Sequence, residues 1–165
     1  AQAILGDAEF ASGDKAAARA AYARSALVRR SWPLTLRLAA AQEDAAETRR
    51  LLESYVRDNP MHAEAAALLA DAFAAAGDWE RAAQLLDHAM ALGMARVPWV
   101  LAARSIAAAE LEDNDAALDY ALAAHELQPI NPLAIAALID ALPESEDAAR
   151  SELETKLRSV SASTR

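Results

Sequence analysis

The stretch LLADAFAAAGDWERAAQLLDHAMAL, from Leu68 to Leu92, decides the fold. Leu69 precedes the small Ala70, Phe73 follows, and Gly77-Asp78 mark a turn. Beyond the turn, small Ala82, bulky Leu86 and small Ala89 recur at helical spacing. Small residues let two helix axes approach where they cross, and large ones fill the space between crossings. The stretch therefore predicts two antiparallel helices joined at Gly77.

The same layout recurs along the chain. Leu5-Gly6 precede a turn at Gly13-Asp14, with Ala18, Tyr22 and Ser25 on the helix beyond; Phe10 sits one residue later than Phe73 in its unit. A second unit starts near Trp32, turns at Glu43-Asp44 without glycine, and runs through Thr48, Leu52 and Tyr55 to Pro60. A fourth has Ser105 and Ala108, a turn at Glu112-Asp113, then Ala117, Ala121, Ala124 and Pro129. The turns at 13, 43, 77 and 112 lie 30, 34 and 35 residues apart. That spacing and layout resemble the tetratricopeptide repeat (TPR), whose period is about 34 residues.

The resemblance covers nearly the whole chain and implies an all-α fold: a right-handed α-solenoid of antiparallel helix hairpins, a TPR-like superhelix of about ten helices. Residues 1–142 form the expected array, four units plus a degenerate apolar helix, LAIAALIDAL, after the turn or helix-start signal Ile130-Asn131-Pro132. Pro143 ends that helix. Residues 143–160 read as a C-terminal capping helix, with Ser145 as its N-cap, Ala149, Leu153 and Leu157 on one face, and Glu146–Arg150, Glu152–Lys156 and Glu154–Arg158 as i,i+4 pairs. Residues 161–165 read as a frayed tail.

Composition agrees with this class. Alanine exceeds a quarter of the chain, with only four glycines, and strand-forming residues never alternate for a strand's length. Without cysteine there are no disulfides or thiolate metal sites. The net charge of −9 argues against nucleic acid, which needs a basic stripe, and no segment reaches the roughly 20 apolar residues of a membrane span. Arg outnumbers Lys by 14 to 2 in an alanine-rich chain, as expected of a GC-rich bacterial genome. The N-terminus, lacking a Met, reads as a processed or excised boundary, and the composition is compatible with either bacterial cytoplasm or periplasm.

The sequence carries no recognisable chemistry. His62, His88 and His125 show no ligand spacing, and neither a phosphate loop nor a nucleophile motif occurs. No metal, cofactor or catalytic residue is expected. Instead, the resemblance implies a concave groove lined by first helices, which accepts a peptide or partner helix. The residue after each Leu-plus-small pair commonly faces it: Asp7, Arg37, Asp71 and Ile106, with Trp99 a further candidate. Where carboxylate-clamp TPRs carry lysine, this chain has Ala3, Pro33, Ala67 and Ala102, so that ligand class is not implied. The expected partner is a protein or peptide, apolar or basic. Self-association as a homo-oligomer, or a regulatory role in a larger enzyme or secretion component, is the alternative.

Overall fold

The computed structural model describes residues 2–162, which contain ten α-helices and no strand. The fold is all-α, of the TPR-like solenoid class. The chain divides into two compact units, Ala1–Met61 and His62–Arg165.

The first unit holds α1 (Gln2–Ala11), α2 (Lys15–Ala26), α3 (Trp32–Ala41) and α4 (Ala45–Asp58). Consecutive helices pack on one another, α1 most closely on α2. Gly6 is the one fully buried residue of α1. A Cβ there would run into the Tyr22 ring of α2, so glycine is what lets this crossing close. Phe10, displaced by one residue and hence about 100° round the helix from the position of Phe73, is 39% exposed, whereas Phe73 is 6% exposed.

The second unit holds α5 (Ala63–Ala74), α6 (Trp79–Ala89), α7 (Pro98–Glu110), α8 (Asn114–Leu127), α9 (Pro132–Ala141) and α10 (Asp147–Ala162). A π-type turn over Met90–Met94 extends α6 and breaks at Gly93, where φ is +113°. The hairpins α5/α6 and α7/α8 are its closest pairs. Alanines 66, 67, 70, 83, 89 and 107 pack with Leu86 and Val100 into one core, and a second gathers Leu101, Ala121, Ala124, Ala134 and Leu138. Ser105, buried at the α7/α8 crossing, donates to the Ala117 carbonyl at 2.7 Å.

One device starts the second helix of every hairpin. Asp14, Asp44, Asp78 and Asp113 each accept a backbone N–H of the following first turn, from Ala17, Ala46, Arg81 and Ala116. This satisfies a donor that has no partner within the helix. The residue before the aspartate bends the chain: Gly13 and Gly77 take φ of +89° and +77°, and Glu112 takes +62° in the same left-handed region. The Glu43 turn manages without glycine because its chain leaves α3 through an extended Gln42.

Two expectations at the C-terminus shift. Helix α10 begins at Asp147, and the Glu146 carbonyl rather than Ser145 takes the capping position, accepting from the Arg150 amide at 3.0 Å. Among the described residues its three expected i,i+4 pairs do not close as ion pairs. Arg150 donates instead to the Leu142 carbonyl at 2.7 Å and Arg158 to the Glu154 carbonyl at 3.2 Å. These carbonyls are nearer and need no second long side chain to be held in place. Ser161 and Ala162, expected in the tail, are helical; residues 163–165 lie outside the described residues.

Glu112 holds an L-residue in a conformation that costs it about 1 kcal/mol. Glu112→Gly should therefore raise stability by roughly 0.5–1 kcal/mol in urea titration, less the entropy glycine adds to the unfolded chain. Gly77→Ala should lower it by a similar amount.

Candidate interaction site

The residues placed in a groove by repeat register fall into two local arrangements, one in each unit. In the first, Asp7 on α1 and Arg37 on α3 meet directly. Arg37 Nε donates to Asp7 Oδ1 at 2.8 Å, and the Tyr22 hydroxyl donates to the same oxygen at 2.9 Å. Both partners of the ion pair are half-exposed. The Tyr22 hydrogen bond, reinforced by Arg37, holds the Asp7 carboxyl below the usual carboxylate range. Burial first, then the bond to Asp7, pushes the Tyr22 hydroxyl above its ordinary range. Asp7 and Arg37 thus spend their charge on each other, tying α1, α2 and α3 together.

In the second, Asp71 on α5 and Ile106 on α7 line one open cavity of about 260 Å³. Its walls are Ala70 and Ala74 from α5 with Ala75 just beyond it, Trp79, Ala82 and Leu86 from α6, and Ala103 and Ala107 from α7. Asp71 is the one charged residue on this lining. The cavity follows from composition: alanines on facing helices keep the axes close but leave no side chain long enough to fill the space above the crossing. The arrangement offers an apolar recess with an exposed carboxylate at its edge. A hydrocarbon side chain fits the recess, and a neighbouring ammonium or guanidinium fits the carboxylate.

Trp99 is not on that lining. It is half-buried against the core of Ala66, Ala67, Ala70, Leu86 and Val100. Trp32 stands 5.1 Å from Tyr55, ring centroid to ring centroid. Trp79 takes part in both core and cavity.

Several residues do more than their sequence signals announced. His62 is the N-cap of α5, its Nδ1 accepting from the Ala65 amide at 3.2 Å. A histidine two residues after a turn proline and directly before a helical run is a signal that could have found it. Arg104 pairs with Asp87 at 2.7 Å and lies 5.0 Å from the Tyr120 ring centroid, linking α6, α7 and α8. His125 keeps a buried Nδ1 without a hydrogen-bond partner. Burial, and then the charge of Lys156, hold its imidazole below the ordinary histidine range. Among the described residues no group of three His, Asp or Glu is placed to hold a metal ion, and no helix is long and apolar enough to cross a membrane.

No protein-family model matches the chain, and no curated protein sequence matches it. Its fold is similar to solved structures of MamA. MamA 41-end from Desulfovibrio magneticus RS-1 aligns with a TM-score of 0.81 at 14% identity, covering 98% of this chain and 94% of that one. A crystal structure of MamA aligns with a TM-score of 0.74 at 18% identity, covering 94% and 92%. At such identities the likeness is one of fold.

The Asp7 cluster has a pH signature. Its lowered carboxyl contributes stability above the ordinary carboxylate range that is lost as pH falls through the lowered value. Tyr22, raised, contributes below the ordinary tyrosine range and loses it as pH rises through the raised value. Thermal melts of Asp7→Asn should therefore differ most from the parent near pH 7, the gap narrowing at acid pH as the parent's carboxyl protonates. A gap that stays constant down to pH 2 would show that the ion pair is not coupled to folding.

Proposed function

We propose that this chain is a non-catalytic protein-interaction scaffold, and that the cavity between α5, α6 and α7 is part of its recognition surface. The observation that carries this reading is the convergence of Asp71 and Ile106, equivalent positions of two repeats, on one apolar recess. Repeat folds present the same position of successive units along one face, so a segment running across that face meets them in turn. The partner's chemistry follows from the lining: an apolar anchor side chain, with a basic residue beside it to meet Asp71. Arg37 and Asp7 are mutually neutralised and add shape more than charge. Trp99 supports the recess from behind rather than touching the partner. The absence of a nucleophile motif from the sequence supports a binding role over a catalytic one.

The test uses two labelled amphipathic helices, one of Leu and Lys and one of Leu and Glu, followed by fluorescence anisotropy. The Leu/Lys peptide should bind more tightly. Asp71→Lys should weaken it about tenfold, equivalent to about 1.4 kcal/mol. Ala103→Leu, which fills the recess, should weaken it without lowering the melting temperature. Preference for the Leu/Glu peptide, or indifference to both substitutions, would remove the cavity from the recognition surface.

We further propose that α10 caps the second unit. Leu153 packs against the core of Leu101, Ala121, Ala134 and Leu138, but no residue of α10 is fully buried. Its contribution should fall below the roughly 1.5–3 kcal/mol of a fully buried leucine. A chain ending at Leu142 should melt at lower temperature and associate at high concentration. Unchanged melting and a monomeric truncated chain would make α10 a dispensable appendage.

A further inference from the structure

Charge is distributed unevenly between the units. Residues 1–61 carry nine Lys and Arg against eight Asp and Glu, net +1; residues 62–165 carry seven against 17, net −10. Within the first unit four of the nine basic residues gather at one end. There the start of α1, the end of α2 and the end of α4 lie together. Arg24 Nε donates to Gln2 Oε1 at 3.1 Å, joining α2 to α1. Arg30 reaches the Leu51 carbonyl at 2.6 Å and Ser54 Oγ at 2.9 Å, joining the α2–α3 loop to α4.

This end bears Arg24, Arg29, Arg30 and Arg57, against Asp58 alone, which Arg30 approaches at 3.9 Å. The opposite end, at the hairpin turns, collects Glu9, Asp14, Glu43, Asp44 and Glu47 against Lys15 and Arg19, which donates to the Ala41 carbonyl at 3.4 Å. Helix dipoles favour arginine at the ends of α2 and α4, but they give no reason for what stands among those arginines. Leu27 and Val28 are 88% and 89% exposed, and Met61 and Ile4 at the same end are 74% and 73% exposed. Four large aliphatic side chains in water beside a basic cluster are more than the scatter of single apolar residues that protein surfaces carry.

We infer that this end of the first unit is a peripheral docking surface for an anionic lipid headgroup layer, with Leu27 and Val28 inserting at the acyl boundary and Arg24, Arg29 and Arg57 meeting lipid phosphates. Two observations favour a bilayer over a protein. Leu27 and Val28 are each nearly nine-tenths exposed, so whatever buries them must surround them; the headgroup region yields in that way, whereas a protein would need a preformed socket. The paired requirement of apolar insertion and basic contacts is that of interfacial membrane binding. This surface shares no residue with the cavity, and its test is independent of the scaffold reading.

The full chain is sedimented with vesicles of phosphatidylcholine alone and of phosphatidylcholine with about one-third phosphatidylserine, at low and at physiological salt. Binding to the anionic vesicles is expected, weaker at higher salt and several-fold weaker to the neutral ones. Leu27→Ser with Val28→Ser should abolish it. Arg29→Glu with Arg57→Glu should do the same, and neither pair should change the circular dichroism or the melting temperature. An Asp71→Lys control should bind vesicles as the parent does. Absence of the parent from the anionic pellet would overturn the inference, as would pelleting insensitive to both double substitutions. If vesicles are ignored while Leu27→Ser with Val28→Ser reduces self-association in sedimentation velocity, or retention on immobilised polyglutamate, the surface belongs to a second copy or to an acidic protein, and the membrane assignment is wrong.

Discussion

The distance between helix axes at their crossings is the constraint on which the rest of this structure depends. Ala18, Ala21, Ala41, Ala65–Ala67, Ala82, Ala89, Ala102, Ala117, Ala121 and Ala124 are all completely or almost completely buried. A buried alanine removes little apolar surface from water, on the order of one methyl group and about 0.8 kcal/mol. Its value lies in permitting the neighbouring helix to come close, so that backbone and Cβ atoms make the dispersion contacts that larger side chains would otherwise make. Gly6 is the extreme case, where the Tyr22 ring occupies the place of the missing Cβ. Larger residues at such points would overpack the crossing, at about 1–3 kcal/mol each.

Close crossings make orientation matter, and the hairpin turns supply it. Each aspartate cap fixes where the second helix begins, and a left-handed residue before three of them sets the reversal. A register error of one residue would rotate a helix by about 100° and carry its alanines off the crossing. Phe10 shows this at a single position, half out of the core that its counterpart Phe73 occupies. Cap and crossing are therefore one specification: the cap chooses the phase that the small residues require.

Helix number, turn positions and the aspartate at each turn were legible in the sequence because they depend on neighbours within a few residues. The pairing of Asp7 with Arg37 was not read in advance, although both had been placed at one repeat position. They are 30 residues apart, and only the packing of α1 and α3 on α2 brings them, with the Tyr22 hydroxyl, to the same oxygen. Trp99 was ambiguous for a related reason. Standing at the first turn of α7, it can turn either way, and the core built by α5 and α6 decides. The cap of the last helix was misplaced by one residue because Ser145 is the better side-chain cap, yet the helix after Pro143 starts at Asp147 and puts Glu146 in that position. Fold was written locally; site was written in tertiary contacts.

An alanine-rich core also explains where the recess of the second unit lies. Short side chains at crossings leave recesses between helices, so the cavity beside Asp71 comes from the same residues that let α5, α6 and α7 approach. Any side chain that filled such a recess would recover contacts that the alanines leave unmade. The large apolar residues that the core does not need are free to appear outside it, as Leu27 and Val28 do. Selection on either surface then acts through side chains that contribute little to folding. A fold of this composition can therefore vary its surface side chains while leaving untouched the crossings that hold it together.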